Sequence, residues 1–469
     1  MKKIIALFLC AAAAMAVMTA ASCSLFRPPV QSESGSESAS ESESRGADPQ
    51  PADLLKEAQE RLDTFRELDF AGRKLTLVCP AASVDVYQPT ESGTNLSGAR
   101  IMRNVNAAGA VGVELSVMFT RGDVARELSL TADSGEKYAD LVSVPQNRIA
   151  ALARGGYLQD LVELPYAAVR SGCFDYTAGA SGAVYGVRGD FNFDPSLLTC
   201  LYYNDALLKA KGVDVGSLCA DGRLSVEDFL KTLRELDGSL DAGAGEYGFA
   251  WSSSELGSEN RITDLVYAAF GLKYLRAGDD PFADVVSETA GNAVSAAREM
   301  ISLRKLSVTG LIYDGDAFTA GKLCFYADSL DYSLKLPSDL EWGVLPIPSS
   351  GDTVTLLPAT AEMLCVTAGA PTEPCGALIG AMAAFSDGYI PSMFLRDVFA
   401  VSARSSSALE SMKAVAASAS LDPAFYTAPL HTYVAAASFG AIRTAVKSGE
   451  SVSSIISGVK DRAEKELAD

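Results

Sequence analysis

Apolar positions change their spacing along the chain. An unbroken apolar run occupies residues 4–21, just after Lys2 and Lys3. From Ser24 to Pro51 apolar residues nearly vanish, and the sequence is dominated by Ser, Glu, Gly and Pro. Beyond that, short apolar runs alternate with helical spacings. Leu75, Leu77 and Cys79 alternate in a first strand, and Leu141, Val142 and Val144 follow Asp140 in another. Further strands are expected at 198–203, 247–250, 323–326, 342–345 and 363–366. Ser225 and Asp228 have the spacing of a capping box ahead of Phe229, Leu230 and Leu233, which fixes a helix start. Phe439, Ile442 and Val446 keep helical spacing up to Gly449, and Val452, Ile455, Ile456, Val459 and Ala463 form a second stripe. Strands alternating with helices imply mostly parallel sheets covered on both faces. The expected fold class is α/β, with two such sheets.

The leading run is short and rich in small residues at its end, which marks a secretory signal rather than a membrane span. It stops at Ala20-Ala21-Ser22-Cys23, which resembles the lipobox of bacterial lipoproteins, with Ala20 where Leu is commoner. The resemblance implies that residues 1–22 are removed and that Cys23 becomes a lipidated N-terminus. An ordinary signal cleaved nearby, with Cys23 a bystander, is the alternative, and it exports the protein equally. The Ser/Glu-rich stretch completing 23–51 buries too little apolar surface to offset the entropy of ordering, so it is expected to be a solvated tether. At about 5–6 Å times the square root of its length, it would hold a folded body tens of Å from a membrane.

The remaining 400 or so residues suffice for two or three domains with buried cores. Hydrophobic residues make up 48% and charged residues 21%, and no later apolar run approaches membrane-spanning length. The formal net charge is -20, and loss of Lys2 and Lys3 with the signal makes it -22. With no basic cluster to override that charge, nucleic acid is excluded as a partner. Of nine Cys, Cys10 would leave with the signal and Cys23 would be the lipidated one that the resemblance implies. Cys79, Cys173, Cys200, Cys219, Cys324, Cys365 and Cys375 remain, widely spaced, and read as buried small hydrophobes, with any disulfide unassignable.

Catalytic patterns are sparse. His431 is the only histidine, which leaves a single candidate base for any Ser-His-Asp or Cys-His arrangement, and no Gly-x-Ser-x-Gly elbow is present. No Gly-x-x-x-x-Gly-Lys-Ser/Thr loop or Cys-x-x-Cys pair occurs, so neither a cofactor nor a metal is expected. A glycosidase needs only two carboxylates, so a glycan-acting enzyme stays open as an alternative.

The stretch Gly189-Asp190-Phe191-Asn192-Phe193, followed by Leu201-Tyr202-Tyr203-Asn204-Asp205-Ala206-Leu207-Leu208 and Lys211-Gly212-Val213, resembles the central signature of extracellular solute-binding proteins of bacterial ABC importers. The helix-opening segment that follows in that family is Gly-x-Trp-Thr. It is Gly222-Arg223-Leu224-Ser225 here, with Leu224 in place of Trp. Asp140-Leu141-Val142 with Gly156-Tyr157-Leu158-Gln159-Asp160-Leu161, Phe318-Thr319-Ala320-Gly321-Lys322, and Trp342-Gly343-Val344-Leu345-Pro346-Ile347-Pro348 are similar to other family segments. Arg396-Asp397 with residues 407–412 resembles a variant group. The similarity spans about residues 70–465 and is weakest in the Ser, Thr and Gly-rich stretch after Cys79.

The resemblance implies a two-lobed periplasmic-binding-protein-like (type II) fold. The expected first lobe is 52–197 plus 309–350, and the second is 198–308 plus 351–469. It implies capture of a small solute, most often a sugar or oligosaccharide, by lobe closure. Delivery would be to the membrane subunits of an ABC importer, from a monomer lipid-anchored on the extracytoplasmic face of the cell membrane. Sugar-binding relatives stack aromatic rings on sugar faces and aim carboxylates at hydroxyls. Candidate ligand residues are therefore Asp190, Phe191, Tyr203, Trp251, Tyr326, Asp328 and Tyr389. For each aromatic the competing reading is core packing, and for Asp190 it is a turn cap. An adhesive or scaffolding lipoprotein is the other alternative.

Overall fold

The computed structural model describes residues 68–89, 93–162, 174–177, 183–219, 223–241, 243–252, 259–276, 278–304, 314–352, 354–401 and 406–468. The expected signal, Cys23 and the tether lie outside them, as do Cys173 and Gly222.

The strands are β1 (Arg73–Pro80), β2 (Val113–Thr120), β3 (Leu141–Pro145), β4 (Phe174–Thr177), β5 (Val184–Arg188), β6 (Thr199–Asn204), β7 (Tyr247–Trp251), β8 (Leu323–Ser329), β9 (Trp342–Leu345), β10 (Thr355–Leu356), β11 (Glu362–Val366) and β12 (Ala419–Ser420). One sheet has the order β2-β1-β3-β11-β5-β4 and another the order β7-β8-β6-β9, while β10 and β12 form a short separate pair. The helices that matter below are α1 (Asn95–Ala110), α2 (Val124–Asp133), α3 (Gln146–Arg154), α4 (Val226–Asp237), α5 (Glu259–Ala269), α6 (Glu288–Leu303), α7 (Thr372–Ala384), α8 (Tyr389–Val401) and α9 (Ala441–Ser448).

The inner strands of both large sheets are buried on both faces, which is why they read as apolar runs. In the first, Leu75, Leu77 and Leu364 pack with Ala107 of α1 and Leu378 of α7. Their neighbours Val78, Val142 and Cys365 point the other way, to Leu128 of α2 and Ile149 of α3. In the second, Leu201, Phe249 and Phe325 meet α4, α5 and α6, while Cys200, Tyr202 and Tyr326 meet Phe394 of α8. The Ser225 hydroxyl accepts the Asp228 N–H at 2.9 Å, so the expected cap starts α4. Gly449, with φ 82°, ends α9. Cys79, Cys200, Cys324, Cys365 and Cys375 are buried free thiols and Cys219 is a half-buried one, as their apolar settings suggested. Gly243, Gly245 and Gly248 have the Gly-x-Gly-x-x-Gly spacing, yet they lead into β7 rather than from a strand into a helix. They therefore lack the helix N-terminus that binds a pyrophosphate.

The path between the sheets explains strand direction. β1, β2, β3 and β5 run one way and deliver the chain from Arg188 through residues 189–198 into β6. Because β6 is entered from that end, it runs antiparallel to both neighbours, β8 and β9. The return through β10 enters β11 at Glu362, and β11 likewise runs antiparallel to β3 and β5.

This pairing corrects the expected lobe segments. The strands in 309–350, β8 and β9, belong with β6, and β11 belongs to the first sheet. β6 is a central strand whose two edges both need partners, and β8 and β9 supply them. Of the expected segment 351–469, β11 and α7 pack on the first sheet, while α8 and α9 pack on the second.

Candidate functional site

A cavity of about 520 Å³ lies at one end of the first sheet. Pro80, Pro145 and Arg188 end β1, β3 and β5, Glu362 begins β11, and all four line it. In open α/β sheets ligands bind at the carboxyl ends of the strands, which is where this cavity sits. Ser83, Tyr87, Asp123, Asn147, Arg148, Asn192, Asp194 and Thr360 add polar lining.

Three charged groups organise the floor, Arg188, Asp194 and Glu362. Arg188, which lines the cavity, is 5% exposed, and its Nη1 donates to the Glu362 carbonyl at 2.8 Å. Burial lowers the pKa of this guanidinium, and Asp194 is the strongest counter-charge acting on it. One Asp194 oxygen, Oδ1, accepts from the Ser196 N–H at 3.0 Å and its hydroxyl at 2.7 Å. The Glu362 carboxylate accepts from Ser83 Oγ at 2.6 Å and Ser143 Oγ at 2.7 Å. Burial raises its pKa against the two serine hydrogen bonds. At the rim Arg148 pairs with Asp123 at 2.9 Å.

The crossing segment beside this floor is held from α1. Arg100 Nη2 donates to the Phe193 carbonyl at 2.7 Å, and Arg103 donates to the Phe191 carbonyl and, at 2.9 Å, to that of Val86. The only aromatic ring at the cavity among the described residues, Tyr87, is 1% exposed, with its hydroxyl 3.2 Å from Ser143 Oγ. The wall thus offers hydrogen bonds and charge rather than a stacking face. Groups that both donate and accept, such as hydroxyls, match a floor where Arg188 supplies donors and Asp194 acceptors.

None of the seven candidates from sequence lines this cavity. Phe191 is fully buried in the core of the first sheet. Trp251 ends β7 and Tyr326 sits in the middle of β8, and both are about 3% exposed. The Arg304 guanidinium lies 4.3 Å over the Trp251 ring, and Phe318 stacks on Tyr326 at 5.8 Å. Asp328, 5% exposed, accepts from Ser329 N–H at 2.7 Å. Tyr203 and Tyr389 are half-buried against the cores of the second sheet. Large rings on these strands were drawn into packing because burying them is worth more than leaving them at a wet surface.

Asp190 ties two crossings together. Its Oδ2 accepts the Gly388 N–H at 2.7 Å, across from the turn between α7 and α8, where Gly388 has φ 68°. Burial pushes its pKa from 3.8 up to about 6. Since the folded value lies above the unfolded one, the stability tied to this carboxyl is present below pH 4 and lost as pH rises through about 6. Wild-type stability measured against Asp190→Asn by denaturant titration should therefore fall across pH 4–6 and level off above. Parallel curves would show that the carboxyl titrates normally.

No family model matches the sequence, and no curated protein matches it. Solved structures do match in fold. The sugar-binding protein MalE from Xanthomonas citri is 14% identical with a TM-score of 0.56, over 84% of this chain and 97% of that one. The galacto-N-biose-/lacto-N-biose I-binding protein of the ABC transporter from Bifidobacterium longum, in complex with lacto-N-biose, is 15% identical with a TM-score of 0.53, over 85% and 98%. The cyclic α-maltosyl-1,6-maltose binding protein from Arthrobacter globiformis is 16% identical with a TM-score of 0.53, over 84% and 99%. At these identities the likeness establishes the fold: the chain has the two-sheet α/β architecture of periplasmic binding proteins.

Proposed function

We propose that this protein captures a small hydroxylated solute, a sugar or oligosaccharide, outside the cytoplasm and hands it unchanged to an ABC importer. The observation that carries the reading is the polar cavity at the strand ends, where a buried Arg188 and Asp194 present complementary hydrogen-bonding groups. The solved relatives in this fold are described as binding sugars, which supports the same solute class. Lipidation at Cys23, a tether through residue 51, the extracytoplasmic membrane face and action as a single copy belong to this reading. So does the absence of turnover. The transporter's membrane subunits would be the protein partner.

Thermal unfolding of the exported chain against a library of sugars, oligosaccharides, amino acids and short peptides tests it. A ligand at a hundredfold excess over its Kd adds about 2.7 kcal/mol, a shift of a few degrees for a chain of this size. Stabilisation confined to saccharides is the expected result. A hit that is consumed would point to a glycan-acting enzyme, and silence across the library to a scaffold.

A further inference from the structure

Glu362 enters β11 opposite Pro145 of β3. Residues two apart on a strand share a face, so Ser143 lies beside it. Ser83 closes the single helical turn, Ala81–Ser83, that follows β1. The topology thus brings two serine hydroxyls to one carboxylate, with Ser83 Oγ 2.6 Å from Oε1 and Ser143 Oγ 2.7 Å from Oε2. An O–H donating to an ionised carboxylate settles at about 2.5–2.7 Å, shorter than a bond between neutral groups. An ionised carboxylate only accepts, so each serine directs its one proton to Glu362.

That fixes what each serine has left. Ser143 is wholly buried, with its oxygen 3.2 Å from the Tyr87 hydroxyl. Since the Ser143 proton is held by Glu362, Tyr87 donates in this pair and Ser143 accepts. Ser143 is thereby satisfied within the protein. Ser83 is not. It is half-buried and lines the cavity, and among the described residues its one side-chain hydrogen bond is the one it donates to Glu362. A hydroxyl has one proton to give and two lone pairs to receive, so Ser83 keeps acceptance alone. A solute group that meets this hydroxyl has to donate.

We infer, on the capture reading of this cavity, that Glu362 sets solute specificity through Ser83. By holding the serine proton it makes Ser83 an acceptor, so the captured solute presents a hydroxyl or amine donor there and not an ether oxygen. The role is one of positioning, and Glu362→Gln reverses it. In that variant the amide nitrogen faces Ser83. Facing Ser143 instead, it would leave one of two buried hydroxyl protons, on Ser143 or on Tyr87, without the acceptor it has now, which is costly. Ser83 then accepts from the amide and turns its own proton to the solute.

Monofluoro-deoxy analogues of the saccharide that most stabilises the chain, one for each hydroxyl, test this, because fluorine takes the place of a hydroxyl but cannot donate. Calorimetric titration of the wild type should find a position where fluorine weakens binding about tenfold, the size expected when one buried hydrogen bond is left unmade. At that position the ratio of fluoro to hydroxyl Kd should fall to about threefold or less both in Glu362→Gln and in Ser83→Ala. A merely structural role for Glu362 would weaken both forms alike and leave the ratio standing, which would overturn the inference. A wild type indifferent to fluorine at every position would do the same. Ser83→Ala alone decides the matter should Glu362→Gln fail to fold. If no saccharide stabilises the chain, the capture reading falls and this inference with it. If saccharides bind and the ratios ignore both substitutions, this inference falls alone.

Discussion

Arg188→Met is expected to weaken solute binding about 10- to 100-fold while changing stability by less than about 1 kcal/mol. Hydrogen bonds to a charged group are worth roughly 1.5–3 kcal/mol, which converts to that range in Kd. The guanidinium is desolvated by burial, and among the described residues its hydrogen bond is to the Glu362 carbonyl. That carbonyl keeps a second donor, Asn192 Nδ2 at 3.2 Å. Replacing a buried charge with an apolar side chain of similar length is commonly neutral for folding. The effect should therefore appear in binding and not in unfolding. Calorimetric titration with a solute found by thermal screening, alongside denaturant unfolding, separates the two. Unchanged affinity would remove Arg188 from the site, and a loss of folding equal to the loss of binding would make it a structural residue.

Phe191→Ala should behave in the opposite way. The ring is fully buried in the core of the first sheet, and truncating such a side chain costs about 3–5 kcal/mol through lost transfer energy and an unfilled cavity. Denaturant unfolding should show that loss. Affinity per folded molecule should change by less than threefold, because the carbonyl of residue 191, held by Arg103, keeps the crossing segment in place. A variant that folds normally yet fails to bind would restore Phe191 to the solute, as the sequence resemblance implied.

These two residues show what was legible in the sequence. Strands buried on both faces announce themselves as apolar runs, and β1, β3, β6, β7, β8, β9 and β11 fall where such runs stand. β2 escaped because it is an edge strand whose Glu114, Ser116 and Met118 face solvent, which breaks the run. Sheet membership escaped for another reason. The runs at 323–329 and 362–366 look alike, and which sheet each joins is decided by the free edges of β6 and β3. At the site, rings such as Trp251 and Tyr326 attract attention in a sequence, but their apolar area favours the core. The cavity is instead made of Ser, Asn, Asp and Arg, types common on any surface. Arg188 and Glu362 each bound an apolar strand run, but so do Arg73, Asp140 and Glu341, so position in the sequence does not single them out.

The central claim, capture without chemistry at the strand-end cavity, is tested most directly by titrating the best saccharide from the thermal screen and then recovering it. One binding event per chain, with the saccharide returned intact and the heat diminished in Arg188→Met, is the predicted result. Release of an altered saccharide, or binding that Arg188→Met leaves untouched, would contradict it.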